Sequence, residues 1–389
     1  MRAFLVNSGI LGHRSVGRTI QEAMRHRPDV TTVALDLGEG LGARDRVIRR
    51  LMCWGGAAPT SRFDAVTLAR WRREMHTGVL AARRIRAAER RHGPADVLHF
   101  HTQATAFASI GRMRRTPSIV SLDITQRLAA RDVPRGAPQW QYAACGARDR
   151  QIFRAADAIV SPSRWAADDV ARDVPERAER VHVLPWPLPL DGFDARWIAA
   201  RRGRAGRGTP ARVLFMGGDF PRKGGWDLFE AWRAIAEGAT AELHVATDWP
   251  IGADAVPAGV SVHRGIRAYT PEWFALWADA DVFVMPTTAE AFGIVYQEAA
   301  AAGVPAIGTD LNAVPEIIAD GETGLLVPVH DPCALAAALR RLIADPDARR
   351  RMGVAARARA ARLYDPASYG AAMAGLMHAA VSSRRSLPR

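Results

Sequence analysis

The chain has 389 residues, 48% of them apolar and 24% charged, with a net charge of +13. That length predicts two domains, or three small ones, and that composition gives a globular protein with sizeable cores rather than a disordered chain. Three distant cysteines (Cys53, Cys145, Cys333) exclude a disulfide framework or a zinc site, and no apolar run reaches the length of a membrane span.

Strand-like and helix-like runs alternate from the start. Ala3 to Val6 reads as a strand, too short in its apolar part for a signal peptide, so a cytoplasmic protein is expected. Val16 to Met24 is helical and Thr31 to Asp36 a strand. Trp71 to Arg91 is a basic helical stretch without a continuous apolar face beside its arginines. Asp96 to His101, Ser118 to Leu122 and Ala158 to Val160 read as buried strands, so the first half predicts a parallel α/β sheet.

Leu184-Pro185-Trp186-Pro187-Leu188-Pro189 breaks the pattern, and Arg201 to Gly208 is charged and glycine-rich. The domain boundary therefore falls between Pro185 and Pro210, with a basic linker over 191–210. The alternation then restarts. Arg212 to Met216, Ala241 to Ala246, Ser261 to His263, Asp281 to Met285, Pro305 to Gly308 and Leu325 to Pro328 read as strands. Trp226 to Ala236, Glu272 to Ala280 and Gly293 to Ala302 read as helices, and Asp331-Pro332 opens another with an N-cap and a first-turn proline. Two Rossmann-like halves predict a ligand cleft at the carboxyl ends of their strands.

One residue breaks the chain's habit. Of 53 basic residues a single one is lysine, Lys223, in Gly217-Gly218-Asp219-Phe220-Pro221-Arg222-Lys223-Gly224-Gly225 after an apolar strand. A compact ammonium beside a glycine-rich turn suits a phosphate oxygen, and a planar guanidinium does not replace it freely. The second signal is Pro286 to Ala299. A strand ends at Met285, a loop carries Glu290, a helix starts near Phe292, and Glu298 sits about two turns in. The first amides of that helix, at Phe292, Gly293 and Ile294, form an anion site, with Gly293 removing a side chain that would block a phosphate. Carboxylates on both sides select hydroxyls, and a phosphate flanked by hydroxyl-binding groups describes a nucleotide sugar. Glu298 lies among Ile294, Val295, Ala299 and Ala300, so it is expected to be buried and to need a partner.

These residues carry a resemblance. The Glu290-x7-Glu298 pair, the Gly217 to Gly225 loop and the runs Ala302 to Ile307, Val314 to Ile318 and Asp320 to Val327 resemble the retaining nucleotide-sugar glycosyltransferases of family 4 (group 1), which have the GT-B fold. The likeness is dense from Arg212 to Tyr364 and thinner in Asp96 to His101 and Val160 to Ser163. It implies an α/β chain of two Rossmann-like domains facing across a cleft: 1–190 for the acceptor, 211–365 for the nucleotide sugar, and 366–389 as a helix crossing back to the first domain with a tail. It implies transfer of a hexose-type sugar from a nucleoside-diphosphate sugar to a hydroxyl acceptor, with retention and no metal or other cofactor. Lys223 and Arg222 would neutralise the donor diphosphate, with Gly217 and Gly218 in the same loop. Glu290 would bind sugar hydroxyls, Phe292, Gly293 and Ile294 phosphate and sugar, and Glu298 the ribose. Gly9 and Gly12 would approach the diphosphate from the first domain.

Two departures stand out. Gly218 lies where the family often has arginine, a charge that Arg222 would supply. Asp123 lies where many members have a histidine near the reacting carbon, which makes it the candidate catalytic residue of the first domain. His13 and His101 are the candidates on the acceptor side. A nucleotide-sugar 2-epimerase-like isomerase and an inactive nucleotide-sugar-binding scaffold are the alternative readings. The positive charge is expected to be mostly solvated arginine rather than a specific nucleic-acid site, since few arginines interleave with stacking aromatics. The arginines of Trp71 to Arg91 are a candidate peripheral contact with an anionic membrane at its inner face.

Overall fold

The structure is a computed structural model that describes residues 1–9, 12–39, 42–52, 68–131, 140–193, 210–235 and 240–386. Most of the expected linker (194–209), Cys53 and the last three residues lie outside the described residues. The chain divides into two compact units, Met1–Pro187 with Pro366–Arg389, and Leu188–Asp365.

The first unit holds one sheet of six strands: β1 (Arg2–Asn7), β2 (Thr31–Asp36), β3 (Val97–His101), β4 (Ser118–Ser121), β5 (Ala158–Ser161) and β6 (Val181–Val183). Their order is β2-β1-β3-β4-β5-β6, and every pairing is parallel. Parallel sheets are covered on both faces, which is why β3, β4 and β5 are buried along their whole length. Helix Ala69–His92 does present an apolar stripe, contrary to the sequence reading. Gly78, Ala81, Ile85 and Ala88 recur at helical spacing and are buried, three of them in the main core with Phe4, Phe100 and Phe107. The interruption of that stripe by arginines hides it from a reading of runs. Gly78 is needed where this helix meets Phe107, since an added Cβ would lie 2.7 Å from that side chain.

Helix Pro366–Arg385 belongs to this first unit. Gly370 packs against the carbonyl of Ala23, where a Cβ would come within 2.5 Å. His378 Nε2 lies 2.9 Å from Asp29, and Arg384 Nε donates to the buried Asp157 carboxylate at 2.7 Å. The crossing-back of the last helix is thus fixed at its start, middle and end.

The second unit repeats the plan with β7 (Ala211–Met216), β8 (Ala241–Ala246), β9 (Val260–His263), β10 (Val282–Met285), β11 (Ala306–Thr309) and β12 (Gly324–Val327). The order is β12-β11-β10-β7-β8-β9, again all parallel. Asp331 caps helix Pro332–Ala344, accepting from the Ala334 amide at 2.8 Å, as its sequence predicts. Leu188 to Phe193 is tied into this unit: the Leu188 amide donates to the Tyr364 carbonyl at 3.0 Å, and Phe193 stacks edge-on to Trp273 and Phe274.

Both sheets contain a switch point. From β7 the chain proceeds outward to β8 and β9; from β10 it proceeds the other way, to β11 and β12. The loops after β7 and β10 therefore leave the sheet in opposite directions and open a crevice at the carboxyl ends. In the first unit the same reversal lies between β1 and β3.

Candidate functional site

The two singled-out motifs of the second unit are the two loops at its switch point. Gly217 to Gly224 follows β7 and Pro286 to Gly293 follows β10. The loops are fastened to each other by backbone. The Arg222 carbonyl accepts from the Thr288 amide at 2.9 Å, from Thr287 Oγ1 at 3.2 Å and from Thr288 Oγ1 at 3.1 Å. Gly224 adopts φ +76°, and a Cβ there would sit 1.8 Å from the Pro286 carbonyl oxygen, so only glycine permits this approach.

On that frame Lys223 Nζ pairs with Glu290 Oε2. The Lys223 side chain is 15% exposed and that of Glu290 12%. Arg222 is not a free cation. Its Nε donates to Asp219 at 3.0 Å and its NH1 to the Ala289 carbonyl at 2.6 Å, so it supports the loop that carries Glu290. Gly217 lies over the Lys223 stem, where a Cβ would be 3.0 Å from Cγ, whereas Gly218 has open space.

The helix after β10 is Ile294–Ala301, starting two residues later than expected because Gly293 is its N-cap in the left-handed region, φ +93°. Phe292 is buried in the loop. The first-turn amides of this helix have no intrahelical carbonyl to bond, apart from the Tyr296 amide, which reaches back to the Gly293 carbonyl at 2.9 Å. Gly293 is required for a reason other than phosphate access: a side chain would strain the backbone and its Cβ would lie 2.6 Å from the Tyr296 ring. Glu298 is one turn in, not two, and is buried as expected. Its partner is Tyr269, whose hydroxyl donates to Oε1 at 3.1 Å. Burial pushes the Glu298 carboxyl up to about 8, against the opposing hydrogen bond from Tyr269.

Two residues missed by the sequence reading complete this site. Tyr269 holds a left-handed backbone (φ +65°), for which a tyrosine carries no sequence signal. Asn312, also left-handed at φ +53°, donates its side-chain amide to the Glu290 carbonyl at 3.0 Å. Asparagine tolerates that conformation, so the Asp310-Leu311-Asn312 turn was the available clue.

In the first unit the candidates gather at the β1/β3 switch point. Gly9, φ +66°, follows β1; a Cβ would meet the Asp36 carboxylate at 2.1 Å. Gly12 opens helix Gly12–Arg25, and residues 10 and 11 between them lie outside the described residues. His13 Nε2 is 3.6 Å from Asp123 Oδ2, and its Nδ1 shares a 3.2 Å hydrogen bond with Ser8 Oγ. Burial draws the His13 imidazole down, but the hydrogen bond and charge of Asp123, with the charge of Glu74, outweigh it and hold it above its ordinary value. His101 packs edge-on against His13 (centroids 5.4 Å) and Trp186 (5.6 Å), and neither ring nitrogen has a hydrogen-bond partner among the described residues. Burial keeps it neutral, well below the usual imidazole range.

Behind Asp123 lie polar groups that the sequence reading did not single out. Gln103 donates to the Ile124 carbonyl at 2.9 Å and to Asp149 Oδ2 at 3.3 Å; Gln126 reaches Glu74 at 3.4 Å. Asp149 Oδ1 and Glu74 Oε2 have no hydrogen-bond partner among the described residues, and burial raises both carboxyls. Asp149 lines a cavity of about 530 Å³ with Thr125, Gln126, Trp140 and Tyr142. These residues are scattered over four elements, so no local motif announces them.

Comparison with known proteins agrees with this geometry. Residues 14–192 match the family model described as Glycosyltransferase Family 4, and residues 210–345 the model described as Glycosyl transferases group 1. The D-inositol 3-phosphate glycosyltransferase of Xylanimonas cellulosilytica is 29% identical over 73% of this chain and 71% of its own length. The protein of the same description from Streptomyces avermitilis is 31% identical over 61% of this chain, which spans about half (55%) of that relative. A glycogen synthase of Mycobacterium tuberculosis is 29% identical over 75% of this chain and 70% of its own length. Among solved structures, sucrose-phosphate synthase from Thermosynechococcus elongatus superposes with a TM-score of 0.74 at 18% identity, covering 98% of this chain and 99% of that one. Anabaena HepE in complex with UDP and glucose gives 0.66 at 17% identity, covering 99% of each. Two parallel six-stranded sheets, two switch points and both family matches lead to one assignment: the chain is a GT-B-fold glycosyltransferase of family 4, group 1 type.

Proposed function

We propose that the protein transfers a hexose-type sugar from a nucleoside-diphosphate sugar to a hydroxyl acceptor with retention of configuration. One observation carries this reading: Lys223 and Glu290 meet at the β7/β10 switch point, beside the opening of helix Ile294–Ala301. An ammonium and the opening of a helix suit a diphosphate, and the adjoining carboxylate suits sugar hydroxyls. Glu298 and Tyr269 then take the ribose. Relatives named for glycosyl transfer, and a neighbour solved with UDP and glucose, support the same class of donor.

In this reaction the bond between the anomeric carbon and the diphosphate oxygen breaks and the acceptor oxygen bonds to that carbon on the same face. The acceptor proton passes to the departing phosphate oxygen. Lys223 and the helix amides stabilise the charge developing on the diphosphate, an electrostatic role that needs no metal ion. Asp123, with His13 beside it, sits on the acceptor side and accepts a hydrogen bond from a sugar hydroxyl. The outward arginines of helix Ala69–His92 remain a proposed contact with anionic lipid; among the described residues no helix is long and apolar enough to cross a membrane.

The test is a thermal-shift panel of nucleoside diphosphates and their sugars, followed by product analysis with candidate hydroxyl acceptors, with and without EDTA. A bound ligand at a hundredfold over its dissociation constant adds about 2.7 kcal/mol. Transfer with a retained anomeric centre, insensitive to EDTA, is expected. Conversion of the donor without any acceptor would indicate an isomerase instead, and the absence of both binding and turnover would leave a scaffold.

A further inference from the structure

Resting on that reading, we propose that Glu290 is a specificity-determining gate that makes the site prefer the intact nucleotide sugar over the sugar-free nucleoside diphosphate. The ammonium of Lys223 is paired with the Glu290 carboxylate. A diphosphate must take Lys223 away from that carboxylate. The loops are not free to part: Thr287 and Thr288 hold the Arg222 carbonyl, Arg222 holds the Ala289 carbonyl, Gly224 abuts Pro286, and Asn312 holds the Glu290 carbonyl. The exchange therefore happens at the side chains, over a backbone that stays put.

The two classes of ligand differ in what they leave behind. A nucleoside diphosphate takes over Lys223 but offers nothing to Glu290, which is only 12% exposed and so is left with little water and no cation. Separating a largely buried ion pair and leaving one partner uncompensated is costly. A nucleotide sugar takes both partners at once, the phosphate accepting from Lys223 and the sugar hydroxyls donating to Glu290. The same exchange runs backward after transfer. Once the sugar has left, Glu290 recovers Lys223 and expels the spent diphosphate. The pair thus couples recognition of the sugar to release of the product.

The sole lysine gives a direct probe. In the full-length chain labelled with ¹³C and ¹⁵N at lysine, a single side-chain ammonium signal reports Lys223. It is expected to shift on E290Q substitution without ligand, because its partner loses its charge. Dissociation constants are measured by calorimetry for UDP and UDP-glucose, ADP and ADP-glucose, and GDP and GDP-mannose, on wild type, E290Q and E290A. For the pair that wild type binds, the preference for the sugar-bearing member is expected to fall about tenfold in E290Q, chiefly through tighter binding of the diphosphate. E290A, which also removes the hydroxyl acceptor, is expected to abolish the preference. A mere loss of negative charge would tighten both members alike and leave their ratio unchanged. An unchanged ratio, or a Lys223 signal that ignores E290Q, overturns the gate while leaving the donor site standing. Failure of every pair to bind wild type overturns the donor site and the gate together.

Discussion

The two switch points of this molecule are built from the same plan and finished in opposite ways. At the β7/β10 crevice the charged side chains have protein partners: Lys223 with Glu290, Arg222 with Asp219 and the Ala289 carbonyl, Glu298 with Tyr269. At the β1/β3 crevice and behind it, His101, Asp149 Oδ1 and Glu74 Oε2 are buried without a hydrogen-bond partner among the described residues. A buried polar group left unpaired costs about 1–3 kcal/mol, so the β1/β3 crevice carries an unmet demand that the charged groups of the β7/β10 crevice do not. The lesson is a division of labour. The β7/β10 crevice has its charged groups already paired, while the β1/β3 crevice holds hydrogen-bonding capacity in reserve.

The largest effect should come from the buried acids on the two sides. Glu298 holds its proton up to about 8, against an ordinary carboxyl value of 4.5. The folded protein therefore binds a proton that the unfolded chain has released, and stability falls as pH rises through that window. E298Q removes the dependence. Its stability relative to wild type should grow by several kcal/mol between pH 4.5 and pH 8, on the order of one pKa unit per 1.4 kcal/mol. Asp149 is raised in the same direction by burial, so D149N should flatten the profile too. Denaturant titrations across pH check both. If only one variant flattens the curve, the two crevices differ in solvation as well as in pairing.

Next in size is Lys223. K223A should lower turnover about a hundredfold, as loss of one preorganised charge contact does elsewhere. K223R should not restore it, because a forked guanidinium cannot sit where a compact ammonium pairs with Glu290. Initial rates of nucleoside-diphosphate release measure this. Near-normal turnover in both variants would remove the organised side of the comparison.

How much of this was legible beforehand follows the same division. The second unit's signals are local. One lysine among arginines, a glycine-rich loop after an apolar strand and two glutamates eight positions apart all lie within single loop-to-helix segments, and the fold brings them to one crevice. Even there the pairing of Lys223 with Glu290 was hidden, because they are 67 positions apart in the chain. Each was read as waiting for ligand. In the first unit Gly9, Gly12 and Asp123 were visible only through a resemblance, and His13 and His101 only as single histidines near the expected cleft. Glu74, Gln103, Gln126 and Asp149 come from separate helices and meet only through tertiary packing. The apolar stripe of helix Ala69–His92 was masked by the arginines between its members. The strand Val181–Val183 was missed because it is three residues long and runs into prolines.

A smaller effect tests whether the loop fastening is what organises the second unit. G224A places a methyl against the Pro286 carbonyl at a backbone angle that alanine avoids. Destabilisation of about 1–3 kcal/mol is expected in denaturant titration, with weaker nucleotide binding in proportion. Gly218, in the same loop, has open space where its Cβ would be, so G218A should stay within about 0.5 kcal/mol of wild type. Equal effects at both positions would mean that the loop is held by something other than the Gly224 contact.

The smallest expected effect sharpens the comparison from the other side. His13 titrates above its ordinary value because the hydrogen bond and charge of Asp123, with the charge of Glu74, overcome the burial that pulls it down. A raised folded value means that the pair stabilises the protein fully below the ordinary imidazole value of 6.5, and that this contribution is lost as pH rises through the folded value. In D123N the charge is gone and burial stays, so the His13 titration, followed by NMR of its ring, should drop to or below 6.5. The stability that the pair contributes below pH 6.5 should fall with it. The positions of Ser8 and the Asn7 side chain, which hold His13 at its Nδ1 and its carbonyl, should not change. If His13 keeps its raised value in D123N, Glu74 rather than Asp123 is its counter-charge. The β1/β3 crevice would then be organised from the interior of the unit, through Glu74, rather than through Asp123.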